Sequence, residues 1–351
     1  MSNPAIDIIV TVWNRPVETR NCLVNLMDHS PDARFILVDN GSDRETERLL
    51  QEFAEILDQR ALLLRNDTNR GYIRAVNRGL ARAEAPYVAI IRNSAIVSAG
   101  WLPSLLKLAG ERSDAGIIIP RLVPTNGGKA QPAGHSSFPP IEADHGSLTA
   151  MFLKKRLYDL IGGFDEEMDG GIWCLRDFSR RACRAGFFTY RVESAPVSFT
   201  EEVPLGSMER REQALKRSIA MYRERWGAES SFLLHLPKGT DLNVLRQKLV
   251  PLLQGARQGH EFSILTHPRL HKELTAAGCH NLHERIRFVR LPLMFESRTI
   301  RGLLATAGKA APPIQAVSGI DDMEFPGADA SIPFSRLERI IAAAQAEKYG
   351  I

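Results

Sequence analysis

The sequence holds four cysteines, Cys22, Cys174, Cys183 and Cys279, and no two of them form a C-x-x-C pair. A disulfide framework is disfavoured, and a reducing compartment is expected. No apolar stretch approaches the ~20 residues that a bilayer span needs. The opening MSNPAIDIIVTVW enters a strand directly, without the basic start and apolar core of a secretory signal. These absences lead to the expectation of a soluble cytoplasmic protein. Repeats of short period and low-complexity tracts are missing too. The net charge of +4 is spread along the chain rather than gathered in a tail. It suits an anionic small ligand or an anionic membrane surface, and no nucleic-acid partner is expected.

At 351 residues the chain is long for a single core, so two domains are expected. The first opens with IDIIVTV (6 to 12), a buried strand, followed by Trp13-Asn14-Arg15-Pro16, where Pro16 suits the first turn of a helix running to about His29. FILVDNGSD (35 to 43) is the stretch around which the rest is organised. Phe35 to Val38 form an apolar run too short for a helix and suited to a parallel sheet covered on both faces. The acidic, glycine-containing turn after it lies where open α/β sheets bind ligands. Asp39 is thus either a ligand-binding carboxylate or a cap of its own turn, with Ser42 or Asp43 capping the next helix.

A helix at 45 to 58 and a strand at 61 to 65 continue the alternation, the signature of a doubly wound parallel sheet. A polar turn and helix over 66 to 83, with Gly71 at the tight turn, lead to a strand within 87 to 92 that delivers Asn93 and Ser94 to the edge where Asp39 lies. A helix at 101 to 110 and a strand at 116 to 123 precede a Gly-, Pro-, Ser- and His-rich segment, 124 to 147, which suits an active-site rim. Then come a strand at 149 to 153, a helix at 155 to 161, the acidic loop GGFDEEMDGG, a basic helix near 174 to 185, strand material at 188 to 199, and a charged helix at 206 to 226. Beyond Gly227 strands near 231, 261, 286 and 314 alternate with helices near 241, 268, 298 and 334, which reads as a smaller α/β domain over 228–351.

Residues 6 to 227 resemble the family 2 glycosyltransferases of GT-A fold, bacterial enzymes that move a sugar from a nucleotide diphosphate donor to an acceptor hydroxyl. The carriers are IIVTVWNRP, FILVDNGSD, NRGYIRAVNRG, the GWL at 100 to 102, the Gly162 to Glu166 loop, the Arg181 to Gly186 helix end and the closing RWG. The resemblance implies a GT-A, Rossmann-like domain over 1–227. It implies that Thr11 and Val12 line a base pocket, that Asp39 bonds the base or ribose, and that Asn14, Arg15, Asn69, Gly71, Asn77, Asn93 and Ser94 lie close. The donor would be a UDP-, dTDP- or GDP-linked sugar. A glycan, lipid-linked glycan or protein would be the acceptor, as in surface polysaccharide biosynthesis, with His145, Asp165 and Glu166 on its side.

The sequence departs from the family at its chemistry. Where the family's D-x-D metal motif falls, this chain has Arg92, Asn93 and Ser94, and Mg²⁺ or Mn²⁺ needs hard anionic oxygens that these supply poorly. A metal-binding His expected after the last strand is replaced within Val197-Ser198-Phe199. No cofactor is therefore expected, with a divalent Mn²⁺ or Mg²⁺ on the degraded motif as the alternative. Of the family's E-D-x-D base motif, matched to Cys174-Leu175-Arg176-Asp177, one acid survives. Asp177 is the expected base if the helix carries it into the cleft, and an ion-pair partner of Arg181 or a cap of the helix if it does not. Asp165, Glu166, Glu167 and Asp169 are rival bases. Two readings stand: an inverting, metal-independent transferase in which Arg92 offsets the diphosphate charge, or a degenerate module binding carbohydrate or protein.

His267 and His271, one helical turn apart near Cys279, His280 and His283, have a spacing that can chelate zinc, although no cysteine pair accompanies them. His135 falls in the rim. In the second domain, Pro237-Lys238-Gly239-Thr240-Asp241 lacks a glycine-rich phosphate loop, so dimerisation, partner docking or acceptor recognition is the expected role. The apolar stripe of Leu337, Ile340, Ile341 and Ala344 packs on its own sheet or on a second copy. Peripheral membrane association and a homodimer both remain open.

Overall fold

The computed structural model describes residues 5–125, 139–200, 207–294, 296–307, 314–320, 325–328 and 330–349; His135 lies outside them. The chain divides into two units, Met1–Pro140 with His145–Trp226, and Ile141–Asp144 with Gly227–Ile351. In chain order the elements are β1 (Ile6–Val12), α1 (Pro16–His29), β2 (Arg34–Asp39), α2 (Arg44–Leu57), β3 (Ala61–Arg65), α3 (Tyr72–Leu80), β4 (Tyr87–Arg92), β5 (Ala95–Val97), α4 (Trp101–Glu111) and β6 (Ala115–Pro124). They continue with β7 (Ile141–Glu142), β8 (Ala150–Lys154), α5 (Lys155–Ile161), α6 (Trp173–Arg184), β9 (Phe188–Phe199) and α7 (Met208–Trp226).

β1 is buried along its whole length, which is why it is mostly apolar on both faces rather than alternating. Its one charged residue, Asp7, is fully buried and takes two bonds from Arg34 at 2.7 and 2.9 Å. β2 and β4 flank β1 in parallel, and the register sets Val12 opposite Asp39 and Thr11 opposite Arg92. Strand pairing thus brings residues from three separate segments to one edge. Gly79 lets α3 press onto this sheet, since a Cβ there would sit 2.6 Å from a methyl of Ile9. Gly41, at φ +76°, turns the chain after β2 so closely against Thr68 that a Cβ would lie 2.5 Å from its backbone.

The sheet is mixed rather than doubly wound and parallel throughout. Its order is β3-β2-β1-β4-β8-β6-β9-β5, with β8 antiparallel to both β4 and β6, and β5 antiparallel to β9. A strand buried on both faces carries the same apolar run in either direction, so its composition does not reveal its sense.

In the second unit β10 (Ser231–Leu236), β11 (Glu261–Thr266), β12 (Ile286–Arg290) and β13 (Gln315–Val317) form a parallel sheet of order β12-β11-β10-β13. The helices are α8 (Leu242–Arg257), α9 (Pro268–Ala276), α10 (Glu296–Ala307) and α11 (Phe334–Tyr349). Phe232, Leu234 and Leu236 enter one core with Leu245, Phe262, Leu337 and Ile341, while Leu233 joins Leu265, Leu291 and Ile300 in another, as the two-residue period of a strand requires. Leu337 and Ile341 of α11 therefore pack within their own unit. Among the described residues no helix is long and apolar enough to cross a membrane.

Ile141–Asp144, read from sequence as part of the rim of the first domain, is a strap of the second unit. The Glu142 carboxylate takes two bonds from Arg257 at 2.8 and 2.6 Å, and Asp144 takes two from Arg285 at 2.6 and 2.8 Å. The backbone of Glu142 bonds to Leu282 and Glu284 on either side of His283. The suggested zinc pair does other work: His267 Nδ1 accepts from Arg269 N–H and caps α9, and His271 Nδ1 lies 3.1 Å from Thr266 Oγ1.

His283 is 2% exposed, and its Nδ1 accepts from Arg285 N–H at 3.1 Å. Burial pushes its pKa down to about 4. Between roughly pH 6.5 and that value the unfolded chain binds a proton that the folded chain refuses, so stability falls as the pH drops through this window. His283→Asn keeps an acceptor without the titration. Denaturant melts at pH 7 and pH 4.5 are expected to show a smaller acid loss for the variant, by roughly 2 kcal/mol; identical losses would exclude His283 as their source.

Candidate active site

The edge where β1, β2 and β4 end is closed by a tightly turned segment. After Val12 the chain passes Trp13 and then places Asn14 and Arg15 in the left-handed region, at φ 57° and 63°. That conformation is unusual for arginine, and neighbours hold it: Asn14 N–H donates to Ser42 Oγ at 3.0 Å, and Asn14 Oδ1 accepts from Asp43 N–H at 2.8 Å. The turn walls a cavity of about 520 Å³ lined by Thr11, Val12, Trp13, Arg15, Asn40, Asn69, Gly71, Tyr72, Arg92 and Asn93. Seven of these, Thr11, Val12, Arg15, Asn69, Gly71, Arg92 and Asn93, are residues singled out from sequence. Trp13, Asn40 and Tyr72 are not, although each adjoins one that is.

Asn40 organises the far wall. Its amide nitrogen donates to Asn69 Oδ1 at 3.0 Å and Gly71 O at 3.3 Å, and its Oδ1 accepts from Asn66 Nδ2 at 2.8 Å and Arg70 N–H at 3.1 Å. Asp39 is buried beside it, with Oδ1 accepting from Ser42 N–H at 2.8 Å and Oδ2 lying 3.9 Å from Arg65 Nε. Asp39 thus caps its turn and is outside the cavity lining. Asn14 serves as a brace, and Ser94 is buried; neither belongs to the lining.

Arg92 ends β4 and faces the cavity. Its guanidinium carbon lies 5.4 Å from the centre of the Tyr72 ring, and Tyr72 is fixed by its hydroxyl donating to Leu148 O at 2.8 Å. Nε of Arg92 is buried without a hydrogen-bond partner, and no ion pair is found for the side chain among the described residues. Asn93 donates to Thr19 Oγ1 at 2.9 Å. The set Arg92, Asn93 and Ser94 offers a cation and two neutral groups, which do not fit a divalent cation that requires anionic oxygen. Among the described residues no group of three or more His, Cys, Asp or Glu could hold a metal ion. Cys22 donates to Arg92 O, and burial pushes its thiol up to about 12, so it supplies no thiolate nucleophile.

The expected catalytic base is corrected by its surroundings. Asp177 is 0% exposed; Oδ2 accepts from Arg181 Nε at 2.8 Å, and Oδ1 from Arg225 Nη1 at 2.8 Å and Trp226 Nε1 at 2.9 Å. Such a carboxylate clamps α6 to α7 and is closed to an acceptor hydroxyl. Asp165 is held by Arg225 and by Glu167 N–H, and Glu166 by Asn77 and Arg74. Asn77 is likewise corrected from donor contact to loop clamp: its amide exchanges bonds of 2.8 and 2.9 Å with the backbone of Phe164. His145 turns Nδ1 to Gly146 O at 2.6 Å and lines neither cavity described here. Asp169 is exposed and makes no hydrogen bond or ion pair among the described residues.

A second cavity of about 540 Å³ is lined by Arg65, Asn66, Asp67, Arg70, Arg74, Asn77, Arg78 and Glu166. Arginines at every fourth position of NRGYIRAVNRGLARA are the sequence signal that could have revealed it.

Residues 7–165 match the family model described as glycosyl transferase family 2. EpsH of Bacillus subtilis (strain 168), a glycosyltransferase by name, is 26% identical over 115 residues, 32% of this chain and 33% of that protein. The match therefore spans about one third of the relative's length. Among solved structures, GalNAc-T7 with UDP, GalNAc and Mn²⁺ superposes with a TM-score of 0.54 at 14% identity, covering 63% of this chain and 48% of that one. Mannosyltransferase PcManGT of Pyrobaculum calidifontis, with GDP-Man and Mn²⁺, gives a TM-score of 0.48 at 18% identity over 64% and 65%.

Asp177→Asn leaves two guanidinium partners without their buried charge, and is expected to destabilise the first unit by about 3 kcal/mol in denaturant melts. UDP affinity of the folded variant should stay within about twofold, because the residue is outside the cavity. A variant of wild-type stability would refute the clamp.

Proposed function

Residues 7–165 belong to glycosyl transferase family 2, on a GT-A scaffold, and from that premise we propose that this protein transfers a sugar from a nucleoside diphosphate donor to an acceptor hydroxyl without a divalent cation. The observation that carries the reading is Arg92, an arginine facing the cavity with no carboxylate paired to it among the described residues. As the bond from the anomeric carbon to the diphosphate breaks, negative charge accumulates on the leaving oxygens. A guanidinium can bind two of them at once, and such a fixed cation acts most strongly where the charge develops.

In this reading Trp13, about one third exposed at the cavity, offers a face to the nucleobase, and Asn40 and Asn69 offer amides to the nucleoside. Asp39 keeps its place under the turn and supports the wall from behind. A single displacement by the acceptor oxygen inverts the anomeric centre. The proton then passes to a loop carboxylate, for which Asp169 is the candidate because its oxygens carry no other partner among the described residues. The lack of carboxylates at 92–94 and the occupied Asp177 favour a second reading, a scaffold that binds sugar nucleotide without transfer.

Titration calorimetry with UDP and with uridine separates these terms. Arg92→Ala is expected to weaken UDP at least tenfold while leaving uridine within about twofold, in line with the roughly 1.5–3 kcal/mol of a charge-assisted bond. Adding Mn²⁺ should leave UDP affinity unchanged. Equal loss of both ligands, or binding that requires Mn²⁺, would overturn the role of Arg92. Tight UDP binding with no sugar release or transfer from UDP-sugars, in the wild type and in Asp169→Asn alike, would select the binding module.

A further inference from the structure

The arginine-lined cavity beside α3 has no part in the proposed transfer, and it shares no lining residue with the cavity at Arg92. The turn Asn69-Arg70-Gly71 divides them: Asn69 and Gly71 line one, Arg70 the other. Four arginines against Asp67 and Glu166 leave the lining with an excess of positive charge. Part of it is committed, since Arg74 Nε lies 3.2 Å from Glu166, Arg65 pairs with Glu47, and Arg78 donates to Arg65 O at 2.6 Å. The guanidinium of Arg70 has no hydrogen bond or ion pair among the described residues, while its backbone N–H is fixed on Asn40 Oδ1. Arg70, Arg74 and Arg78 recur four residues apart, so they share one side of α3 and its entry. Planar guanidinium forks in such an array match the oxygens of a phosphate group in pairs.

We propose that this cavity binds a phosphate or diphosphate group of a second ligand, separate from the group held at Arg92. The group comes either from free nucleotide or from an acceptor that carries phosphate. Because the two cavities back onto one turn, a ligand at Arg70 presses on the loop that holds Asn69 and Gly71. The proposal stands apart from the donor reading, as loss of UDP affinity at Arg92 says nothing about Arg70.

The test titrates inorganic pyrophosphate into the full chain carrying Arg92→Ala, at low ionic strength. Saturable binding is expected to persist, and to weaken at least tenfold when Arg70→Gln and Arg74→Gln are added, with Arg70→Lys losing less. If Arg92→Ala does not fold, the same titration on Arg92→Gln gives the same readout. Arms with uridine monophosphate and with a short glycerol phosphate oligomer assign the source, tighter binding of the first naming free nucleotide and of the second a phosphate-bearing acceptor. Absence of saturable pyrophosphate binding, or binding indifferent to Arg70→Gln with Arg74→Gln, would overturn the proposal.

Discussion

Parallel pairing of β1 with β2 and β4 fixes the level at which three strands stop, and that register determines what the first unit can bind. Thr11 is set against Arg92 and Val12 against Asp39, so a cation and a buried carboxylate share one edge while remaining on separate strands. Asp39 is satisfied by its own turn and stands near Arg65. Arg92 keeps its charge facing the cavity beside the Tyr72 ring, in a lining that holds no carboxylate. A desolvated guanidinium is costly unless an anion is supplied. In the proposed function that cost is offset by the ligand, and a second cation at the same place would add repulsion.

Much of this was legible in the sequence, for physical reasons. Short apolar runs ending in Asp-Asn-Gly or Arg-Asn-Ser mark strands that stop at a polar edge, and the helical spacing of Leu49, Leu50 and Phe53 marks what covers them. The direction of β8 was not legible, since a buried run carries no sign of its sense. Nor was the role of Asp177, whose partners Arg225 and Trp226 lie 48 and 49 positions along the chain; only its bond to Arg181 is local. The same holds for Ile141–Asp144, four residues whose place is set by Arg257 and Arg285 more than a hundred positions later.

Charge is handled differently across the first unit. On α6 and α7 arginines stack on aromatic rings, as Arg176 does on Trp173 and Arg184 on Trp226, while Arg181 and Arg225 converge on Asp177; these side chains serve packing. Around α3 they line open space instead. The contrast separates arginines that stabilise the fold from arginines that face a cavity, although of the latter Arg74 already pairs with Glu166 and Arg65 with Glu47.

The central claim is that a diphosphate sits at the edge of this sheet against a guanidinium and without an inorganic cation. Crystals grown with UDP and Mn²⁺ and measured at the manganese absorption edge address it directly. The account predicts diphosphate oxygens within hydrogen-bonding distance of Arg92 and no anomalous peak beside them; a manganese peak bridging the phosphates and Ser94 would contradict it.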